Sequence, residues 1–118
     1  MSDILWSDPH DINGLAPSKR GGGTMFGPDV TSKFLSDNNL ELIVRSHEVQ
    51  EDGYKVHHNG KLITIFSAPN YVDQMGNKAA FINFDHTFKP KFIQFNAQKH
   101  PDIKPMAYGS SMNFMNFF

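Results

Sequence analysis

The chain has no cysteine among its 118 residues. That excludes a disulfide scaffold, a zinc ribbon and a thiol nucleophile, and it leaves the redox compartment open. Neither charge sign is in excess: 11 Lys and Arg stand against 12 Asp and Glu, for a net charge of −1. Broad electrostatic binding to nucleic acid or to an acidic membrane face is therefore not expected. No apolar run approaches the ~20 residues of a membrane span. The opening Met1-Ser2-Asp3-Ile4-Leu5-Trp6 has no basic stretch followed by an apolar one, so no secretory leader is expected. The expectation is a soluble protein of the cytoplasm and/or the nucleus, with no nucleic acid and no membrane among its partners.

What is present is an ordinary globular composition, 39% hydrophobic and 19% charged, which excludes a charge-driven disordered chain. The length predicts one domain or a piece of one. Phenylalanine is abundant at 11 residues, and the end Phe114-Met115-Asn116-Phe117-Phe118 is crowded with apolar side chains. Such an end either docks onto something or is a liability.

Residues 7–28 read as one long loop, dense in breakers: Pro9, Asn13-Gly14, Pro17 and Gly21-Gly22-Gly23. A loop of that length inside a compact domain is usually functional or disordered. Residues 28–38 read as a helix. Pro28 suits its first turn, Asp29 suits the positive end of its dipole, and Val30, Phe34 and Leu35 share one face. Five strands follow, at Leu42-Ile43-Val44, Tyr54 to His57, Leu62 to Phe66, Ala79 to Phe84 and Lys91 to Phe95. Asn59-Gly60 predicts a tight hairpin with a type I′ turn between the second and third of them.

Four residues could carry chemistry. His47 directly follows an apolar strand, a rigid mount for a metal ligand or a general base, or for a histidine merely bonded to a loop. Arg20, beside the glycines, can meet a phosphate bidentately or be a solvated loop cation. Tyr71 follows the turn Ser67-Ala68-Pro69-Asn70 and can hydrogen-bond a ligand or be plain surface. Trp6 reads equally as core or as a groove wall. His57 and His58 look like a metal pair, but strand neighbours point to opposite faces, so they are expected on the hairpin surface. No set of His, Asp and Glu has the spacing of a complete metal site.

Taken in order, the segments Leu5-Trp6-Ser7-Asp8-Pro9, Ser18-Lys19-Arg20-Gly21, Phe26-Gly27, Arg45-Ser46-His47-Glu48-Val49, Asp52-Gly53-Tyr54 and Phe66-Ser67-Ala68-Pro69-Asn70-Tyr71 form a pattern. The chain resembles the C-terminal part of the catalytic domain of the metal-dependent serine/threonine phosphoprotein phosphatases, a calcineurin-like metallophosphoesterase domain. Asp73-Gln74-Met75-Gly76-Asn77-Lys78, His100-Pro101 and Lys104-Pro105-Met106-Ala107-Tyr108 place the resemblance closest to the phosphatase-five branch.

The resemblance implies an α/β fold, part of a metallophosphoesterase β-sandwich with one helix, about five short strands and long loops. It implies hydrolysis of phosphoserine and phosphothreonine on phosphoprotein substrates by a water activated at two divalent metal ions, manganese, iron or zinc, with manganese favoured. It implies that His47 is one metal ligand, that Arg20 binds the substrate phosphate, and that Tyr71 lies at the cleft and binds substrate or assists catalysis. Trp6 would line the groove. The Gly-Asp-x-His-Gly, Gly-Asp-x-x-Asp-Arg-Gly and Gly-Asn-His-Glu motifs of the family do not occur here. Residues 1–118 are thus expected to be the C-terminal portion of the domain, supplying one metal ligand. The N-terminal half of that domain and the branch's tetratricopeptide repeats, a route to a heat-shock chaperone, are absent. Inactivity and marginal stability of the isolated chain follow. The alternative is a non-catalytic protein-binding fragment that uses the Trp6 groove or the aromatic tail. A stand-alone metal-binding protein is disfavoured by the lack of ligand clusters. In the branch the end of the domain forms a helix, which Gly109-Ser110-Ser111 weakens here.

Overall fold

A computed structural model describes residues 1–104. The elements in chain order are helix α1 (Ser2–Trp6), strands β1 (Asp8–Pro9), β2 (Leu15–Pro17) and β3 (Thr24–Phe26), helix α2 (Pro28–Asp37), and strands β4 (Ile43–Arg45), β5 (Tyr54–His57), β6 (Leu62–Ile65), β7 (Ala79–Phe84) and β8 (Pro90–Phe95). The architecture is mixed α/β, with one main helix and several short strands, as the resemblance implies. The aromatic tail and the weakened helix expected at its start lie outside the described residues.

The core is built on β6. This strand runs between β4, which pairs with it in parallel (Ile43↔Leu62), and β5, which pairs antiparallel (His57↔Leu62). A central strand covered on both faces has no solvent side to leave polar. Its sequence is accordingly a near-continuous apolar run, and Leu62, Ile63 and Thr64 are all buried. Helix α2 adds the buried Leu35 and Thr31. The sequence reading put Phe34 on the buried face, but Phe34 is 49% exposed. Thr31 takes the inward position instead, because its hydroxyl meets the Nδ1 of His58 at 2.7 Å. The helix begins where expected, with Pro28 in its first turn and Gly27 before it. Gly27 is required there, since a Cβ at that position would lie 2.1 Å from the Ile12 carbonyl oxygen.

Two expectations change. Residues 7–28 are not one loop. They form a three-stranded sheet in the order β1-β3-β2, with Asp8 opposite Met25 in parallel and Ala16 opposite Met25 antiparallel. The strands are two and three residues long, too short for alternation to show in sequence. The turn after β5 is not a two-residue type I′ turn either. His57 pairs with Leu62 across four intervening residues, and His58, Asn59 and Gly60 all have positive φ. The five strands expected after the helix are all present, and β7 and β8 form a separate two-stranded ribbon (Phe81↔Ile93).

Candidate functional site

β1 and β4 come from different sheets, yet their ends are tied together by side chains. Asp8 of β1 is 7% exposed and is shared by two arginines. Its Oδ2 accepts from Arg20 Nε at 2.6 Å, and its Oδ1 accepts from Arg45 Nη2 at 2.6 Å. A buried carboxylate needs partners to offset its lost hydration, and two guanidiniums supply them. Arg45 also donates to the carbonyl of Ser7, to Thr64 Oγ1 on β6 and to Glu48 Oε2.

Arg20 reaches the site from the loop between β2 and β3. Besides its Nε bond to Asp8, its Nη2 donates to the backbone carbonyl of His47 at 3.1 Å. A guanidinium carries five N–H donors in a rigid fork. These two bonds use two of the five. The Arg20 side chain is 23% exposed, against 14% for Arg45.

His47 stands just past the end of β4 with a φ of 92°. A non-glycine residue in that region carries strain of about 1–3 kcal/mol, which persists only where the surroundings hold it. Two contacts do so here: Arg20 on the carbonyl, and Trp6, whose ring meets the imidazole edge-on at 5.1 Å between centroids. Trp6 is 45% exposed, so it is not a core residue. An open groove lies alongside, lined by Ile4, Leu5, Arg45, Ser46 and His47. The exposed imidazole at a strand end suits one metal ligand. Among the described residues, no group of three or more His, Asp or Glu side chains could hold an ion, so no complete donor set surrounds His47.

The structure thus brings Arg20, His47 and Trp6 into one cluster. Tyr71 is anchored in the loop after β6, on a short turn over Tyr71–Asp73. Its backbone N–H donates to Asn77 Oδ1 at 2.8 Å, and its ring meets Phe66 edge-on at 5.1 Å. The next residue, Val72, holds a φ of 53°, an unusual conformation for a β-branched side chain.

The histidine pair is corrected. His57 and His58 are buried rather than on the hairpin surface. His58 bridges Thr31 Oγ1 and the His10 carbonyl through its two ring nitrogens, while His57 Nε2 meets Thr64 Oγ1 at 3.1 Å. Burial, reinforced by the Lys55 ammonium, pushes His57 down to about 4 from the usual 6.5. Asp8 and Arg45 were not singled out from the sequence. The available signal was their place in the segments Leu5 to Pro9 and Arg45 to Val49, which carry the resemblance.

Residues 1–51 match the calcineurin-like phosphoesterase family. The chain is 60% identical over 119 residues to a serine/threonine-protein phosphatase 5 of Arabidopsis thaliana, covering 100% of this chain and 22% of the relative. It is 55% identical over 113 residues to the serine/threonine-protein phosphatase 5 of Homo sapiens, covering 95% of this chain and 23% of the relative. Residues 1–51 thus carry part of a calcineurin-like phosphoesterase domain. Among solved structures the chain is similar to a protein serine/threonine phosphatase from Saccharomyces cerevisiae, with a TM-score of 0.77 and 43% identity, over 89% of this chain and 36% of that one. The chain therefore spans about a fifth of the length of the curated relatives it matches. Membership in this family implies divalent metal ions. Among the described residues, no helix is long and apolar enough to cross a membrane.

Proposed function

We propose that this stretch works as the C-terminal portion of the catalytic domain of a protein serine/threonine phosphatase, closest to the phosphatase-five branch, and hydrolyses phosphoserine and phosphothreonine in protein substrates. The observation that carries the reading is the hydrogen bond from Arg20 to the carbonyl of His47, which joins a phosphate-binding fork to a metal-ligand position across 27 residues of sequence. Bound divalent ions, two of them and manganese in this reading, would supply Lewis acidity and lower the pKa of a water so that hydroxide forms at neutral pH. His47 would give one of their ligands, and the rest would come from the other part of the domain. Arg20 turns its remaining N–H donors to the equatorial phosphate oxygens and stabilises charge there as the reaction proceeds. Tyr71 donates a hydrogen bond to the substrate. It takes no base role, because a phenol near pKa ~10 is a poor base at neutral pH. Trp6, edge-on to the His47 ring, would stand at the groove. A chaperone partner belongs to repeats outside this stretch.

The test is a graft in which this chain replaces the segment it matches in the plant relative. The graft is expected to release phosphate from a phosphopeptide in a manganese-dependent way. His47→Ala should abolish the release, and Arg20→Ala should lower it by about 100-fold, the range typical of losing one preorganised charge-stabilising donor. A His47→Ala graft with full activity overturns the reading. One observation favours a second reading, a non-catalytic binding module: Ile4 and Leu5, beside the groove, are exposed. It requires peptide binding without metal, unchanged by Arg20→Ala.

A further inference from the structure

The arginine that touches phosphate in this reading is not the better-held of the two at the site. Arg45 makes four side-chain hydrogen bonds, two from Nη1 to Glu48 and Thr64 and two from Nη2 to Ser7 and Asp8. Both of its forked nitrogens are spent, so it has no pair of N–H groups to offer a ligand. Arg20 makes two side-chain bonds and keeps three donors. The two guanidiniums divide the work, one building and one binding, and the carboxylate of Asp8 stands between them.

That carboxylate is well placed to aim Arg20. Asp8 lies in β1, whose backbone is fixed by parallel pairing to β3. Its Oδ1 is locked by Arg45, itself set in β4 opposite Thr64 of the buried central strand. Its other oxygen, Oδ2, takes the Nε of Arg20. An Nε bond fixes the plane of the guanidinium while leaving the far edge open. The same arginine then holds the His47 carbonyl. A long side chain on a glycine-flanked loop would otherwise sample many rotamers, and a displacement of ~1 Å at a phosphate clamp can cost about 100-fold in rate.

We propose that Asp8 and Arg45 are positioning residues, a carboxylate and its brace that aim Arg20 at the phosphate and, through it, fix the backbone of His47. The inference rests on the reading of Arg20 as the phosphate-binding arginine. It assigns a role to two side chains that never touch the substrate.

The test is a set of grafts carrying Asp8→Asn, Arg45→Lys, Arg20→Ala and the double variant Asp8→Asn with Arg20→Ala. Asn keeps the shape of Asp8 but not its charge, and Lys keeps the charge of Arg45 but cannot fork. Steady-state kinetics on a phosphopeptide and competitive inhibition by inorganic phosphate are measured, with thermal melting alongside. Asp8→Asn and Arg45→Lys are each expected to lower kcat/KM by about 10- to 30-fold and to weaken phosphate inhibition, as loss of a charge-assisted bond does. In the Arg20→Ala background Asp8→Asn should cost less than about twofold more, because residues acting through one another are not additive. A merely structural role predicts additive losses with unchanged phosphate affinity, and that result overturns the inference. If Asp8→Asn is not recovered folded, Asp8→Glu, which keeps the charge and displaces it by one methylene, is read by the same cycle. If Arg20→Ala alone changes nothing, the phosphatase reading of Arg20 fails. If Arg20→Ala is damaging and the losses add, only the positioning role fails.

Discussion

His57 should make the domain acid-sensitive in a defined window. The ring is buried against Thr64, and burial opposes its protonation, so its folded value is about 4 against the usual 6.5. Between those values an unfolded chain holds a proton that the folded chain refuses. Unfolding then takes up protons, and stability falls as pH falls. Above about pH 7 both states are neutral and the dependence vanishes. The full interval corresponds to about 3 kcal/mol at ~1.4 kcal/mol per pH unit, and partial contact with water reduces that to about 2 kcal/mol. His57→Gln keeps a hydrogen-bonding group near Thr64 without titrating in the window. Urea unfolding of the graft and of its His57→Gln variant, measured from pH 7.5 to 4.5, removes the contributions they share. The gap between the two is expected to be constant above pH 7 and to move against the histidine form by about 2 kcal/mol at the acid end. Parallel curves across the whole range would refute the reasoning, because they would mean that the ring protonates as easily folded as unfolded.

Gly53 has a φ of +77°, and a Cβ there would stand 2.4 Å from the Ala79 carbonyl carbon, so Gly53→Ala should destabilise by about 3 kcal/mol or more in a melting experiment. Thr31→Val strips a buried partner from the Nδ1 of His58 and should cost about 1–3 kcal/mol by denaturant midpoint, whereas Ser32→Ala on the helix surface should cost little. Trp6→Ala removes the edge contact on the His47 ring and should weaken manganese activation of the graft by about two- to tenfold, read from the metal concentration giving half-maximal rate. The isolated chain should bind an apolar dye and melt without a sharp transition, since its radius of gyration is 16.6 Å and Ile4, Leu5, Trp6 and Phe34 are all exposed. A compact domain of this length has a radius near 13 Å. A cooperative melt of the pure monomer would contradict the expectation.

Much of the fold could be read from pattern. The five later strands were legible because each is a short apolar or alternating segment of strand length, and β6 was the clearest because both its faces are buried. Helix α2 was legible from Pro28, Asp29 and its apolar spacing, although the spacing misassigned Phe34. The β1-β3-β2 sheet was hidden because parallel pairing between strands of two and three residues leaves no periodic trace, while the glycines and prolines that permit it look like loop. His57 and His58 were misread for a related reason. Strand alternation fixes which face a side chain takes, but whether that face is covered depends on Thr31 and Thr64, which arrive from elsewhere in the chain. At the site, Arg20, His47 and Trp6 could be named as residue types suited to the chemistry. Their convergence could not be seen, because it runs through Asp8 and Arg45, whose partners are 12 and 37 residues away from Asp8.

The charge balance of that cluster has a consequence for what this stretch contributes. Arg20 and Arg45 bring two positive charges, and Asp8 and Glu48 return two negative ones within direct contact. The four together are close to neutral, so they exert little long-range pull on a phosphate dianion. What Arg20 adds is a set of aimed N–H donors, effective at hydrogen-bond distance and hardly beyond it. In the proposed domain the attraction that draws the phosphate in would then come from groups outside this cluster, bound metal ions among them. Association with substrate should therefore respond weakly to Arg20→Gln, which removes the charge, at low ionic strength, while the bound phosphate loses its orientation and kcat falls by about tenfold or more. Rapid-mixing measurements of binding and turnover on the Arg20→Gln graft separate the two effects. A large drop in association rate with turnover intact would show that the arginine acts as a free charge and that Asp8 does not neutralise it.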